Sequence, residues 1–117
     1  MGTFTVSLTV GNLETGATET VNALVDTGAT YSMIPASVLE RIGITPTRSR
    51  RLRIASGERV ERQTALAFFE TEGYEGEARV VFGPEGLYLL GATALEDMLL
   101  VVDPVSKRLV PEESLLT

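Results

Sequence analysis

The stretch Ala23-Leu24-Val25-Asp26-Thr27-Gly28-Ala29 joins an apolar run to a short polar turn. Such a run is typical of a buried strand, and aspartate, threonine and glycine commonly end a strand in a tight turn. An Asx turn followed by glycine is a purely local explanation of the tripeptide. A chemical explanation is a carboxyl group that the turn holds in place. Asp-Thr-Gly occurs only once in the chain, so a site built from two such groups requires two copies of the protein.

The residue types that are missing narrow the possible chemistry. The 117-residue chain contains no histidine and no cysteine, which excludes Ser-His-Asp and Cys-His catalysis, thiolate chemistry, structural zinc sites and disulfides. It also lacks the Gly-x-Gly-x-x-Gly and Gly-x-x-x-x-Gly-Lys-Ser/Thr motifs that bind nucleotide phosphates. We therefore expect neither a metal nor a cofactor, and Asp26 becomes the leading candidate for a catalytic group.

The composition predicts one globular domain over residues 1–117. Hydrophobic residues make up 44% of the chain and charged residues 22%, which is enough for one core at this length. The net charge of −6 argues against a nucleic-acid partner, because phosphate binding needs a cationic face. The sequence shows neither an apolar run approaching the roughly 18 residues of a membrane span nor the pattern of a signal peptide. We expect a soluble, cytoplasmic protein with no membrane partner.

Alternation of apolar and polar residues dominates the chain and predicts β-strands. Phe4 to Val10 alternates with a period of two, and Glu19 to Val25 is predicted as the returning strand that delivers Asp26. Turns that contain glycine or proline separate the later candidate strands. Those strands are residues 51–54, 60–67, 77–82, 87–90, 99–103 and 107–110.

One or two short helices are predicted among these strands. Pro35 suits the first turn of a helix over residues 36–42, because its missing N–H is unpaired there in any case. Thr93 and Glu96 have the spacing of a capping box, which predicts a second helix that ends near Leu99. Together the elements predict a mostly-β fold that is closed or barrel-like.

The chain resembles the retropepsin-like aspartic proteases of clan AA, the single-domain, homodimeric relatives of pepsin. Two blocks carry the resemblance: residues 23–29 and the later Leu89-Leu90-Gly91-Ala92, where the family has two apolar residues and a glycine ahead of a helix. The blocks occur in the family's order, at a distance that suits a retroviral-sized protomer. The resemblance implies a closed β-barrel like one half of a pepsin-type acid protease, with a flap hairpin.

The resemblance also implies an aspartic endopeptidase. In a homodimer, two copies of Asp26 would share one proton and activate a water molecule that hydrolyses a peptide bond. Thr27 would bond to the partner's loop, and the second block would support the catalytic loop. The implied supporting residues are Thr27, Gly28, Ala29, Leu89, Leu90 and Gly91. The implied flap residues are Ala55, Ser56, Gly57 and Glu58. The implied partners are a second copy of the chain and a peptide or protein substrate.

Two positions depart from the viral pattern. Viral members usually have an aspartate two residues after the motif glycine and an arginine directly after the second glycine, and the two form an ion pair. Here those positions hold Thr30 and Ala92. Both charges are missing together, as expected when one orphaned charge would be costly. The segment of residues 29–35 also resembles cellular and prokaryotic members of the clan more than viral ones.

Two questions stay open from the sequence. A non-catalytic module that binds peptides or drives assembly would suit the same fold, as would a regulatory or self-processing protease that dimerises only at high concentration. The run of Arg48, Arg50, Arg51 and Arg53 before the flap predicts either a solvated, edge-protecting strand or selection of acidic substrates.

Overall fold

A computed structural model describes residues 3–112 of the protein. Within that range the chain forms nine strands and two short helices. In chain order they are β1 (Thr5–Gly11), β2 (Thr18–Val25), β3 (Ser32–Pro35), α1 (Ala36–Arg41), β4 (Arg48–Arg53), β5 (Arg59–Thr71), β6 (Tyr74–Gly83), β7 (Leu89–Leu90), α2 (Ala92–Asp97), β8 (Leu100–Asp103) and β9 (Arg108–Pro111). The predicted mostly-β class is confirmed.

Seven strands form one sheet that closes on itself. The strand order is β1-β2-β7-β3-β6-β5-β4, and residues 9–11 of β1 also pair with residues 68–70 of β5. The long strand β5 makes this closure possible, because its second half pairs with both β1 and β6. Its first half leaves the ring and pairs with β4 as a projecting hairpin. Strands β8 and β9 form a separate two-stranded sheet.

The ring surrounds the hydrophobic core. Leu8 and Val10 of β1 are completely buried, as is Ala23 of β2. The intervening residues of β1 are more exposed, which is the burial pattern that a period of two predicts. The largest completely buried side chain is Phe69, in the second half of β5. The core therefore lies behind the strand that delivers Asp26.

The short strand β7 lies between β2 and β3. It runs parallel to β2, with Leu24 opposite Leu89 and Val25 opposite Leu90. It runs antiparallel to β3, where Met33 is opposite Leu89. The two sequence blocks, which are far apart in the chain, are therefore neighbours in one sheet.

Strand β3 is an element that the sequence analysis does not predict. Its four residues pair with residues 80–83 of β6 on one side, and Met33 pairs with β7 on the other. The strand therefore forms because of its neighbours in the sheet, and its own sequence lacks a clear alternation of polar and apolar residues. Helix α1 is confirmed, although Pro35 is its N-cap residue and does not lie in its first turn. Each helix has six residues, and within residues 3–112 none is suited in length and apolar character to crossing a membrane.

The capping box predicted for the second helix is wrong. Helix α2 begins after the N-cap residue Gly91 without a side-chain cap, and the Thr93 hydroxyl is buried with no hydrogen-bond partner among the described residues. The N–H groups of Ala92 and Thr93 donate instead to the carbonyl oxygens of Ala29 and Thr30, at 2.8 and 3.0 Å. A tertiary contact thus satisfies the donors that a local cap would otherwise satisfy.

Gly91→Ala tests the packing of β7 against the segment that follows β2. A Cβ atom at this position would lie 2.6 Å from the carbonyl carbon and oxygen of Tyr31. Because these are backbone atoms that cannot rotate away, we expect the substitution to lower the free energy of unfolding by about 3 kcal/mol, measured by urea denaturation. Gly86→Ala is the control, since φ there is +83° but nothing lies within 4 Å of the added Cβ. Its expected loss is about 1 kcal/mol. A smaller loss for Gly91→Ala than for Gly86→Ala would contradict the packing described.

Candidate active site

Asp26 lies directly after β2, at the start of a tight turn. Its backbone N–H donates to the carbonyl oxygen of Leu90 at 2.9 Å, and its carbonyl oxygen accepts from the N–H of Ala29 at 3.1 Å. The side-chain oxygen Oδ1 accepts from the N–H of Gly28 at 3.0 Å, which is the geometry of an Asx turn. Asp26 is half-buried and Gly28 is exposed. The turn therefore fixes the carboxyl group and leaves it open to solvent.

The second block lies beside this turn, as the sequence resemblance implies. Leu90 is completely buried, and its carbonyl oxygen holds the N–H of Asp26. Leu89 pairs with strands on both sides. Gly91 has φ −100° and ψ 179°, a conformation open to any residue, so this position requires glycine for space and not for backbone freedom.

Ser32 is a part of the site that the sequence analysis misses. Its side chain is completely buried, and its hydroxyl oxygen accepts a hydrogen bond from the N–H of Gly91 at 2.9 Å. This bond ties the start of β3 to the residue that precedes α2. The signal in the sequence is a serine, Ser32, directly before the apolar run Met33 to Pro35, because a buried polar group needs a partner.

The turn and the start of α2 are joined by main-chain contacts. Thr27 is exposed and Ala29 is half-buried. Thr30 and Ala92 are the two positions that lack the charges of the viral pattern. Their segments are joined by two backbone hydrogen bonds, from Ala92 to Ala29 and from Thr93 to Thr30. Backbone bonds therefore connect these segments without an ion pair.

A groove of about 860 Å³ opens beside the turn. The start of the described chain, the turn, α2 and the β8–β9 hairpin line it. The lining residues are Thr3, Phe4, Val25, Asp26, Thr27, Gly28, Ala92, Leu95, Glu96, Leu100, Val101, Val102 and Pro104. Two carboxyl groups, those of Asp26 and Glu96, reach this groove, and its other walls are mainly apolar.

The tip of the β4–β5 hairpin is exposed and forms its own turn. The N–H of Ile54 donates to the carbonyl oxygen of Glu58 at 2.9 Å, and that of Gly57 donates to the carbonyl oxygen of Ile54 at 2.8 Å. Gly57 has φ +91°, in agreement with the prediction of a hairpin turn there. The predicted flap residues Ala55, Ser56, Gly57 and Glu58 are all exposed, and none of them lines the groove that contains Asp26. The structure thus brings the two sequence blocks together and leaves the flap tip apart from them.

No cluster of three or more carboxyl groups suited to holding a metal ion occurs within the part of the chain that the structure describes. The turn itself offers one carboxylate and backbone N–H groups. Such a set can hold and transfer a proton.

Comparisons with known proteins concern the family and the fold of the chain. The sequence model of a family described as aspartyl protease matches residues 6–102. The fold is similar to that of the simian foamy virus (mac) protease, with a TM-score of 0.57 and 20% identity over 80% of this chain and 92% of that chain. It is also similar to EIAV protease, solved in complex with the inhibitor HBY-793, with a TM-score of 0.61 and 19% identity over 83% of this chain and 88% of that chain. No curated protein matches the chain.

The family match covers most of the chain, including the Asp26 turn and the block Leu89-Leu90-Gly91. The structural similarities, at identities of 20% and 19%, show the fold. The overall fold is thus shared with these two solved retroviral proteases. The chain belongs to the aspartyl protease family and has a retropepsin-like fold.

Proposed function

We propose that the protein is an aspartic endopeptidase that acts as a homodimer, with one Asp26 from each protomer. The observation that carries this proposal is that a protomer has a single Asp-Thr-Gly turn, and that this turn lies beside an open, largely apolar groove. Hydrolysis by aspartic proteases uses two carboxyl groups around one water molecule. One protomer therefore supplies half of the site.

The groove beside the turn is the surface that we assign to the second protomer. Among the described residues, β8 and β9 pair only with each other, so their outer edges keep unpaired backbone groups. Val101 of β8 is half-exposed in the groove, and Val105 in the hairpin turn is 92% exposed. Apolar surface next to free strand edges suits pairing with an identical hairpin about a twofold axis. Such an axis would bring the two Asp26 turns together.

The chemistry follows from the repulsion between two like charges. Two carboxylates about 4 Å apart would repel by about 4 kcal/mol at an effective dielectric constant near 20. The pair therefore keeps one proton, as is established for aspartic proteases. The charged Asp26 accepts a proton from water as the water oxygen attacks the scissile carbonyl carbon, and the protonated Asp26 donates its proton to the carbonyl oxygen, which gives a tetrahedral diol. The proton taken from water then passes to the peptide nitrogen as the C–N bond breaks, and the diol returns one hydroxyl proton to the pair as the carboxylic acid product forms. The Gly28 N–H orients the carboxyl group before the substrate arrives.

The substrate in this proposal is an extended peptide that lies across the twofold axis. Its backbone would pair with the flap tip, residues 55–58, as an added strand pairs with a sheet edge. The exposed Thr27 would bond to the partner's turn, which would fix the distance between the two Asp26 carboxyl groups. Its role is to position the site and not to take part in the reaction.

Asp26→Asn should remove peptide cleavage and leave a folded dimer. Asparagine keeps the size of the side chain but cannot accept the proton from water, so we expect kcat/KM to fall by about 10³-fold on a peptide library. Asp97→Asn is the matched control, because Asp97 is exposed, lies outside the groove and accepts the Glu77 N–H at 2.7 Å, which asparagine can also accept. Undiminished cleavage by Asp26→Asn would refute the catalytic assignment.

Val101→Asp should separate the protomers. The substitution puts two carboxylates into one apolar interface, and we expect the dimer dissociation constant to rise by roughly two orders of magnitude. Sedimentation velocity over a concentration series measures this change, and activity should fall at the same concentrations. Leu66→Asp is the control, since Leu66 is 53% exposed and lies outside the groove. An unchanged dimer in Val101→Asp would mean that the protomers associate through another surface.

A further inference from the structure

Positive charge is concentrated on the hairpin that carries the predicted flap. Residues 48–62 contain six arginines and two glutamates, in a protein whose net charge is −6. Arg79, on the neighbouring strand β6, adds a seventh arginine to this region. Of the ten lysines and arginines in the chain, these seven therefore lie on three adjacent strands.

The register of β4 and β5 divides the hairpin arginines between two faces. Arg48, Arg50 and Arg62 share one face, because Arg50 and Arg62 are directly opposite and side chains alternate along a strand. That face also carries the half-buried residues of the hairpin. Arg51, Arg53 and Arg59 lie on the other face and are exposed. On the first face Arg48 and Arg62 are exposed as well, and Arg50 is half-buried against the protein.

Arg79 joins the face that carries Arg50. Its Nη1 donates to the hydroxyl oxygen of Thr64 at 2.9 Å, and that hydroxyl donates to the carbonyl oxygen of Arg48 at 2.8 Å. Partial burial lowers the pKa of Arg79, and the charges of Arg50 and Arg48 lower it further, although a guanidinium remains cationic at neutral pH. We call Arg48, Arg50, Arg62 and Arg79 the arginine cluster.

The arginine cluster contacts the segment that follows the catalytic turn. Arg50 Nη1 donates to the hydroxyl oxygen of Tyr31 at 3.3 Å, and its guanidinium carbon lies 5.9 Å from the centroid of the Tyr31 ring, within the range of a cation–π contact. Tyr31 comes five residues after Asp26. Arg50 therefore links the flap hairpin to the segment that follows the catalytic turn. In the proposed function the peptide substrate would lie between this hairpin and the turn.

No carboxylate within residues 3–112 forms an ion pair with the arginine cluster. The one ion pair in that range joins Arg41 to Glu19. Arg50 Nε is buried and has no hydrogen-bond acceptor there, and Arg50 faces Arg62 directly, which is unfavourable for like charges. Protection of the edge strand β4 explains the exposed Arg51 and Arg53, but it does not explain Arg50 and Arg79, which are half-buried beside further arginines. A bound anion would reduce this repulsion and supply acceptors.

We propose that the arginine cluster is a specificity site for an anionic side chain of the substrate, so that the enzyme selects peptides with an acidic group at one fixed distance from the scissile bond. This inference rests on the proposed function. The anion is a carboxylate or a phosphate, because both offer two oxygens to the paired N–H groups of a guanidinium. The protein as a whole carries a net charge of −6, so attraction of an anionic peptide is confined to the arginine-rich hairpin and Arg79.

Matched peptides test the proposal. The two peptides of a pair differ at one position, where one has glutamate and the other glutamine, or one has phosphoserine and the other serine. A series of pairs places this position at each distance from the scissile bond in turn. We expect kcat/KM to be about tenfold higher for the anionic member at one position. Arg48→Gln/Arg50→Gln should remove this preference. Arg51→Gln/Arg53→Gln, an equal change of charge on the opposite face of the same strand, should keep it. A larger preference in the phosphoserine pair than in the glutamate pair would identify phosphate as the preferred anion, and the reverse would identify carboxylate.

Binding of the same peptides to the Asp26→Asn protein, followed by fluorescence polarisation, separates this inference from the proposed function. Selective binding of anionic peptides that wild-type protein does not cleave would support the cluster and refute the endopeptidase. Cleavage with no preference for anionic peptides would refute the cluster and support the endopeptidase. An equal loss of preference in the two double variants would attribute the effect to overall charge and overturn the assignment to the cluster. If Arg48→Gln/Arg50→Gln does not fold, Arg62→Gln replaces it, because Arg62 is exposed on the same face; an anionic preference that Arg62→Gln leaves unchanged would overturn the assignment to the cluster.

Discussion

The insertion of β7 between β2 and β3 is the constraint on which the site depends. It puts the carbonyl oxygen of Leu90 against the N–H of Asp26, and it starts α2 where Ala92 can donate to Ala29. Both bonds are made by the main chain, so the position of the turn depends on backbone pairing and on the space left by Gly91. The turn is therefore held from two sides without the ion pair of the viral pattern.

The same constraint makes the protomer incomplete as a catalyst under the proposed function. The core behind β2 fixes one side of the Asp26 turn, and the open groove lies on the other side. A second carboxyl group with the same fixed orientation is most simply supplied by a second copy of the chain. Activity would then depend on protomer concentration, because the site exists only in the assembled state. The free edges of β8 and β9 and the exposed Val105 also favour a dimer. In a monomer, free strand edges and exposed apolar side chains promote unspecific association.

The sequence predicts those features that local patterns determine. Strands β1 and β2 follow from alternation because one face of each is buried, and the adjacency of Asp26 and the Leu89-Leu90-Gly91 block follows from the family resemblance. Strand β3 is not predicted because its partners β6 and β7 define it, and the capping box at Thr93 fails because a tertiary contact caps α2. The arginine run is visible in the sequence, but its division into two faces requires the register of β4 and β5. The catalytic role of Asp26 and the closure of the flap over a substrate stay predictions.

Mixtures of wild-type and Asp26→Asn protein, at constant total concentration and with free exchange of protomers, test most directly whether two copies of Asp26 form one site. If each site needs both carboxyl groups, mixed dimers are inactive and activity falls with the square of the wild-type fraction. An equal mixture should then retain about one quarter of the activity of the same amount of wild-type protein. A decline in direct proportion to the wild-type fraction, with about one half of the activity left in the equal mixture, would contradict the shared site.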